Sequence, residues 1–314
     1  MVAGHPVYLV KTYTREYSLA SFYCWHEGEF FGLNALLGKG VKHVLFLREG
    51  SKNQASVYYD ENGYAGWETA IVEKISNDPH WFEEMKTRFW KFWTPIQPFV
   101  SREKRIESVE DVETDYRQWV DFWPYMSVMM LVPDIPGIPE EIRLEAFRLR
   151  AATQDYSDVG EKIFIDFFQQ RLPRLKELAG VTTPREAFDL LRGRSSDYDL
   201  NVLRVRLNGW ALLDGELLAL THLPVRLQEK GLSLKEESGF EHFHSLHGTV
   251  AWAGSHARVE GLVKVIHHKG HFSKFQPGEI LVAPFTSPDF VPLMKNAKAI
   301  VTDEGGLASH AAIA

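Results

Sequence analysis

The residues best suited to chemistry lie close to the end of the 314-residue chain. Gly305 and Gly306 precede Ser309 and His310, and the helix formers of segment 311–313 follow. This order predicts a glycine turn that opens into a helix, with His310 in the first turn. A neutral imidazole is a nucleophile at neutral pH, and the unpaired N–H groups of a helix start can hold a phosphate. By residue type alone, a histidine after two glycines is more often a capping or surface residue, so phosphate chemistry needs support from the wider sequence.

Two strands and a short helix must position this turn. The apolar runs Ile280–Ala283 and Ala299–Thr302 predict buried strands. Between them, Thr286 and Asp289 have the spacing of a capping box, which predicts a helix that ends at about Asn296.

The change in residue composition along the chain predicts two regions, joined by a polar linker at Gln228–Glu237. The first, 1–234, is expected to be mainly helical: strands in 1–63, helices in 64–205 and a hairpin in 206–222 around Asp214-Gly215. The second, 235–314, has short β-rich runs separated by glycine and proline turns. The expected fold class is a multidomain α+β protein.

Helix starts are marked by three sets of capping residues in the first region. Asp78-Pro79, Ser108 and the capping box Thr183-Pro184-Arg185-Glu186 are start signals. Seven of the nine tryptophans lie before residue 130. Where they recur at helical spacing, as in the stripe Trp81, Met85, Phe89, Trp93 and Ile96, they indicate core packing rather than a ligand box.

Two groups of histidines raise the alternative of a metal site. His242, His244 and His247 form one group, and His267, His268 and His271 form the other. The single cysteine excludes a multi-cysteine zinc site, and no clear carboxylate ligand accompanies either group. We interpret both groups as solvated loop residues and expect no bound metal. A metal-binding protein that uses these histidines remains an alternative. The Gly38-Lys39-Gly40 stretch lacks the spacing and hydroxyl residue of a P-loop.

Composition excludes several classes of protein. The net charge is −7, from 35 basic and 42 acidic residues, so no basic footprint for nucleic acid is present. The sequence has no apolar run long enough for a transmembrane helix and no secretory signal layout, so we expect no membrane association and a cytoplasmic location.

The string around His310 closely resembles the phosphohistidine signature of the PEP-utilising enzymes. That family includes PEP synthase, pyruvate phosphate dikinase, enzyme I of the sugar phosphotransferase system and rifampin phosphotransferase. The similarity extends over about the last quarter of the chain and is carried by Val301-Thr302-Asp303-Glu304-Gly305-Gly306-Leu307-Ala308-Ser309-His310-Ala311-Ala312-Ile313, and upstream by Gly248–Ala251, Gly261–Ile266, Phe275, Gly278–Val282, Thr286, Pro288 and Met294.

The resemblance implies that 235–314 is a swivelling β/β/α mobile domain. Its histidine, here His310, would carry phosphate between two active sites, as a catalytic residue of a transferase of the kinase type. Gly305, Gly306 and Ser309 would shape the phosphate loop and donate hydrogen bonds, and Thr302 would orient the ring. Family domains continue with further strands, whereas this chain stops four residues after His310, so we expect a domain truncated at its C-terminus.

Family modules that bind nucleotide or PEP have no counterpart in the sequence. We therefore expect a phosphotransferase component that is not self-sufficient and binds no cofactor itself. An ATP-grasp module, a PEP- or pyruvate-type acceptor module, or both would supply ATP or PEP and Mg²⁺, as separate subunits or as parts of a longer chain. The alternative is a non-catalytic regulatory or binding module that retains the swivelling fold.

Overall fold

A computed structural model describes residues 6–50, 54–101, 103–153, 156–235, 245, 247–253, 258–305 and 309–313, without the side chain of residue 313. The chain forms two compact units: Met1–Val128 with Val159–Lys235, and Met129–Asp158 with Glu236–Ala314. Residues 129–158 thus group with the C-terminal segment. The division predicted from sequence, at residues 234 and 235, stays a prediction.

A six-stranded sheet organises the first unit, in the order β5-β4-β2-β3-β1-β6. Its strands are β1 Val7–Arg15, β2 Val44–Glu49, β3 Ala55–Asp60, β4 Gly209–Leu213, β5 Glu216–Leu218 and β6 Leu232–Leu234. The expected hairpin is confirmed, because β4 and β5 pair antiparallel around Asp214, which has a φ of 50°. The short strands anticipated in segment 1–63 are confirmed as well, and all of them belong to this one sheet.

The prediction of a linker at Gln228–Glu237 is wrong for residues 228–235, the part of it that the structure describes. Helix α11 runs to Glu229, and β6 then pairs in parallel with the start of β1, Leu232 opposite Val7. Leu232 is buried against the sheet core and Leu234 packs on the same cluster. Alternating leucines on either side of Ser233 are a strand pattern, which the surrounding charges and Gly231 conceal.

Helices cover much of the remaining chain, in agreement with the α+β expectation. They are α1 Leu19–Trp25, α2 Asn34–Leu37, α3 Gly63–Asn77, α4 Trp81–Trp93, α5 Gln97–Val100, α6 Val109–Leu131, α7 Glu140–Ala152, α8 Tyr156–Arg171, α9 Pro184–Leu191, α10 Leu200–Val205, α11 Leu223–Glu229, α12 Val291–Met294 and α13 His310–Ile313. A π-helix spans His26–Leu33, and 3₁₀ turns lie at Val132–Asp134, Pro173–Leu178, Ser195–Asp197, Arg206–Asn208, Leu220–His222, Lys269–Lys274 and Pro288–Phe290.

The capping residues act as predicted at two of the three helix starts. Thr183 accepts a hydrogen bond from the Glu186 N–H, and the Glu186 side chain accepts one from the Thr183 N–H, which completes the capping box of α9. Ser108 Oγ accepts from the Asp111 N–H, 3.1 Å away, at the start of α6. At Asp78 the carboxylate accepts from the His80 N–H, and α4 begins only at Trp81.

The apolar stripe of α4 is buried, as its spacing predicts. Trp81, Met85, Phe89, Trp93 and Ile96 are each no more than 6% exposed. Phe89 packs edge-to-face on Phe122 of α6, with 5.1 Å between ring centroids. These aromatic residues therefore belong to the core.

Among the described helices, none is long and apolar enough to cross a membrane.

The second unit contains a three-stranded parallel sheet in the order β7-β8-β9. Its strands are β7 Val263–Val265, β8 Ile280–Ala283 and β9 Ala299–Thr302. Leu281 and Ala283 of β8 point into a core that also contains Phe275, Phe290 and Met294. The strand–helix–strand order expected for segment 280–302 is confirmed, and all three strands end at the same edge of the sheet.

Candidate functional site

The candidate site lies at the carboxyl edge of the parallel sheet. Strand β8 ends at Ala283 and β9 ends at Thr302, and the segments that follow them are tied together by backbone hydrogen bonds. The Asp303 N–H donates to the Ala283 carbonyl (3.3 Å), and the Glu304 N–H donates to the Pro284 carbonyl (3.0 Å). Because parallel strands place their carboxyl ends together, residues far apart in sequence converge at this edge. In open α/β sheets, this edge is where ligands commonly bind.

His310 is the first residue of α13, the position that the sequence predicts. Its side chain is 9% exposed. The Nδ1 atom lies 3.2 Å from Thr286 Oγ1, which follows β8. The imidazole is thus held at the edge of the sheet by a hydroxyl from the neighbouring strand's loop.

The helix cap predicted at Thr286 and Asp289 is wrong. The N-cap of the Pro288–Phe290 turn is Ser287, and its side chain makes no capping bond. Asp289 instead forms an ion pair with Lys269. The Thr286 hydroxyl is directed to His310, so this threonine belongs to the site, and its local sequence pattern concealed that role.

Other predicted site residues cluster beside the histidine. Gly305 has a φ of 154°, and a Cβ added to it would stand 3.2 Å from Ser309 Oγ and 3.4 Å from Thr302 Oγ1. Gly305, Ser309 and Thr302 therefore meet in a space that a side chain at position 305 would crowd. Gly306 lies outside the described residues.

The hydrogen bond to Thr286 restricts the chemistry of the ring. A neutral imidazole has one nitrogen that donates and one that accepts. When Nδ1–H donates to Thr286 Oγ1, the lone pair available for attack is on Nε2 of His310. The site can thus present a single nucleophilic nitrogen, provided that the largely buried ring becomes accessible.

The second histidine group forms a cluster in the Lys269–Lys274 turn region. The rings of His268 and His271 are 4.0 Å apart between centroids, and those of His267 and His271 are 6.2 Å apart. Partial desolvation, His268 and Lys274 lower the pKa of His271. Among the described residues, no group of three or more His, Cys, Asp or Glu side chains has the geometry of a metal site. His242 and His244 lie outside the described residues.

Two buried carboxyl groups of the first unit, Glu29 and Asp115, have raised pKa values that no pattern in the sequence indicates. Burial raises the pKa of Glu29 to about 7, against hydrogen bonds that lower it. Trp25 Nε1 donates to Glu29, and the Tyr59 hydroxyl donates to it at 3.1 Å. Burial likewise raises the pKa of Asp115 to about 7, although Trp119 Nε1 donates to it at 3.1 Å.

Comparison with known proteins finds similarity mainly in the C-terminal part of the chain. Residues 275–314 match the model of the PEP-utilising enzyme mobile domain. A probable phosphoenolpyruvate synthase of Archaeoglobus fulgidus is 29% identical over 177 residues, which cover 55% of this chain and 22% of that protein. The phosphoenolpyruvate synthase of Pyrococcus furiosus is 43% identical over 101 residues, 32% of this chain and 12% of that protein.

A bacterial relative is similar over a shorter stretch. The uncharacterised phosphotransferase YvkC of Bacillus subtilis is 48% identical over 61 residues, 19% of this chain and 7% of that protein. The matched part of the chain thus spans about a fifth or less of each relative's length, from 22% down to 7%. No solved structure matches the chain.

Proposed function

We propose that the chain is a phosphohistidine carrier, because residues 275–314 match the model of the PEP-utilising enzyme mobile domain. It relays a phosphoryl group from an ATP- or PEP-binding partner to an acceptor through His310. The observation that carries this proposal is the placement of His310 at the start of α13, with Nδ1 hydrogen-bonded to Thr286.

The transfer needs two displacement steps at phosphorus. In the first, the Nε2 lone pair of His310 attacks the donor phosphorus, a P–N bond forms, and the P–O bond breaks with its electron pair on the donor oxygen. We assign the ring proton to Nδ1, 3.2 Å from Thr286 Oγ1, where it stays while Nε2 reacts. In the second, an acceptor oxygen attacks phosphorus and the P–N electron pair returns to Nε2. Thr286 keeps the ring in one orientation through both steps.

The neighbouring hydroxyls are placed to receive the new charge. A phosphoryl group adds about −1.5 to −2 charges at neutral pH and brings three acceptor oxygens. Ser309 and Thr302 carry hydroxyl donors beside Gly305, whose lack of a side chain lets both residues approach its backbone closely. We assign these residues, with Gly306, to phosphate support.

The burial of His310 implies that transfer depends on an opening motion. A ring that is 9% exposed cannot receive a phosphoryl group from a second protein without becoming exposed first. Docking of the donor module would therefore expose the ring, and this step makes the chain depend on its partner. An ATP-grasp module, a PEP- or pyruvate-type module, or both would fill that role, and the partner would hold ATP or PEP with Mg²⁺.

The proposal is tested by labelling. The chain is incubated with Mg²⁺ and ³²P-labelled ATP or PEP, together with the nucleotide- and PEP-binding portions of a PEP synthase as donor modules. We expect an acid-labile, base-stable phosphate on the chain, located at His310 by mass spectrometry. The His310→Ala variant should lose the label, whereas His268→Ala, a histidine of the same unit, should keep it.

The outcomes separate the carrier from its alternative. Label that persists in His310→Ala refutes the assignment of the nucleophile. No label with either donor, together with retained binding of the donor module in a pull-down, identifies a regulatory module instead of a carrier.

A further inference from the structure

The segment that carries Thr286 packs against the turn that follows the neighbouring strand β7. Residues 285–290 lead from β8 towards α12. Because β7 and β8 are parallel neighbours, the chain that leaves β7 and forms the Lys269–Lys274 turn starts from the same carboxyl edge of the sheet. Two contacts join this turn to segment 285–290, one aromatic and one ionic.

The aromatic contact is between Phe272 and Phe290. Their rings meet edge-to-face, with 4.7 Å between centroids and an interplanar angle of 74°. Phe290 is 2% exposed and belongs to the core of the second unit, on which Phe272 also packs. An edge-to-face pair favours the packed arrangement by about two- to tenfold, beyond the effect of burying the rings. Phe272 therefore fixes the end of the segment, four residues after Thr286.

The ionic contact is between Lys269 and Asp289. The Lys269 ammonium group pairs with a carboxylate oxygen of Asp289. The two side chains are 49% and 57% exposed, so solvent screens their attraction, and the pair favours the packed arrangement by at most about fivefold. The aromatic contact is therefore the main brace of the segment, and the ion pair supports it.

The segment has no side-chain cap of its own that could replace these contacts. Ser287 is the N-cap of the Pro288–Phe290 turn, and its side chain makes no capping bond. Its buried hydroxyl forms no hydrogen bond with any residue that the structure describes. The conformation around Thr286 thus depends on what holds the two ends of the segment, which are strand β8 on one side and Phe290 on the other.

A small displacement of the segment is enough to break the contact between Thr286 and His310. Thr286 Oγ1 lies 3.2 Å from His310 Nδ1, at the long end of the hydrogen-bond range. A shift of about 0.5 Å away from the ring would remove the bond. The ring proton could then lie on either nitrogen, so Nε2 would no longer be the one atom that presents a lone pair.

We propose that Phe272 and Lys269 are positioning residues for His310, which act through the segment that carries Thr286. The inference rests on the proposed function, because it assigns these residues a part in the same transfer. By holding Thr286 Oγ1 beside Nδ1, they keep the ring proton on Nδ1 and the lone pair on Nε2. The site then includes the segments that follow all three strands of the parallel sheet.

The test combines ring ¹⁵N NMR with the labelling assay. The chain is prepared with ¹⁵N-labelled histidine, and the His310 signals are identified by their loss in His310→Ala. Phe272→Leu keeps an apolar side chain but removes the aromatic edge. We expect its His310 spectrum to move towards a mixture of tautomers, and its labelling rate to fall about threefold. Lys269→Gln should have the same effect at about twofold.

Conservative changes should restore the site. Phe272→Tyr keeps the ring, so its spectrum and rate should match those of the unmodified chain. Exchange of the two charges, with Lys269→Asp and Asp289→Lys in one chain, should recover most of the loss seen with Lys269→Gln. Lys274→Gln is the matched control, since it changes an exposed lysine of the same turn that belongs to neither contact.

The NMR measurement needs no phosphorylation, so it separates this proposal from the proposed function. If neither donor labels the unmodified chain, the carrier function fails, and the spectra alone decide whether the ring is positioned. An unchanged His310 spectrum in Phe272→Leu, when Thr286→Val changes it, overturns the positioning role. In a chain that is labelled, an unchanged rate beside a changed spectrum also overturns it. Circular dichroism verifies folding, and if Phe272→Leu does not fold, Lys269→Gln and the charge exchange decide the question.

Discussion

The buried carboxyl of Glu29 makes the stability of the chain depend on pH in a defined direction. Glu29 is 1% exposed, and its pKa is about 7 instead of the usual 4.5. Between these pH values, the unfolded chain has an ionised Glu29 while the folded chain keeps it protonated. The folded state then binds more protons, so stability falls as pH rises through this window. The interval from 4.5 to about 7 corresponds to about 3 kcal/mol, at about 1.4 kcal/mol per pH unit.

Replacement of Glu29 by glutamine removes the ionisable carboxyl group and keeps a side chain of nearly the same size and shape. An amide oxygen can still accept from the Trp25 Nε1–H and the Tyr59 hydroxyl. Relative to the unmodified chain, Glu29→Gln should therefore gain about 3 kcal/mol of stability between pH 4.5 and pH 8. Asp115 contributes in the same direction in both proteins, so it cancels in the difference.

Urea unfolding at several pH values measures this difference. Tryptophan fluorescence reports on the first unit directly, because Trp25 donates to Glu29. Glu73→Gln is the matched control, since that carboxylate is exposed and pairs with Lys39 on the surface. Curves for Glu29→Gln and the unmodified chain that run parallel to within about 0.5 kcal/mol from pH 4.5 to pH 8 would refute the reasoning.

Three further substitutions test local features of the two units. Thr286→Val removes the hydrogen bond to His310 Nδ1, worth about 0.5–1.5 kcal/mol, and should slow labelling about two- to tenfold, with a changed ring ¹⁵N NMR spectrum that Thr286→Ser restores. Gly305→Ala places a Cβ 3.2 Å from Ser309 Oγ and should lower the labelling yield in the same assay, while circular dichroism stays unchanged. Thr183→Ala breaks the capping box of α9 and should lower the free energy of unfolding in urea by about 1 kcal/mol, an effect that Thr183→Ser avoids.

Local signals in the sequence predicted the local structure well. The capping box at Thr183, the hairpin at Asp214 and the buried stripe of α4 each depend on residues a few positions apart. In such cases the side chains that decide the conformation are neighbours along the chain, so spacing alone contains the information.

Long-range pairing could not be predicted in the same way. Strand β6 adds to the sheet beside β1, and more than two hundred residues separate Leu232 from its partner Val7. The short run Leu232–Leu234 has three residues, and charged and flexible residues flank it. Its strand conformation depends on the exposed edge of β1, which becomes apparent only once the sheet order is known.

The candidate site combines both kinds of information. The glycine turn and His310 were predicted from one contiguous string, and their relation to one another is local. Thr286 lies 24 positions earlier, and its spacing to Asp289 matched a helix cap equally well. What decides between the two roles is that β8 and β9 are parallel neighbours, with Ala283 paired to Thr302. That register brings the residue three positions after β8 to the turn after β9, so the sheet, rather than the motif, selects the hydroxyl that orients the imidazole.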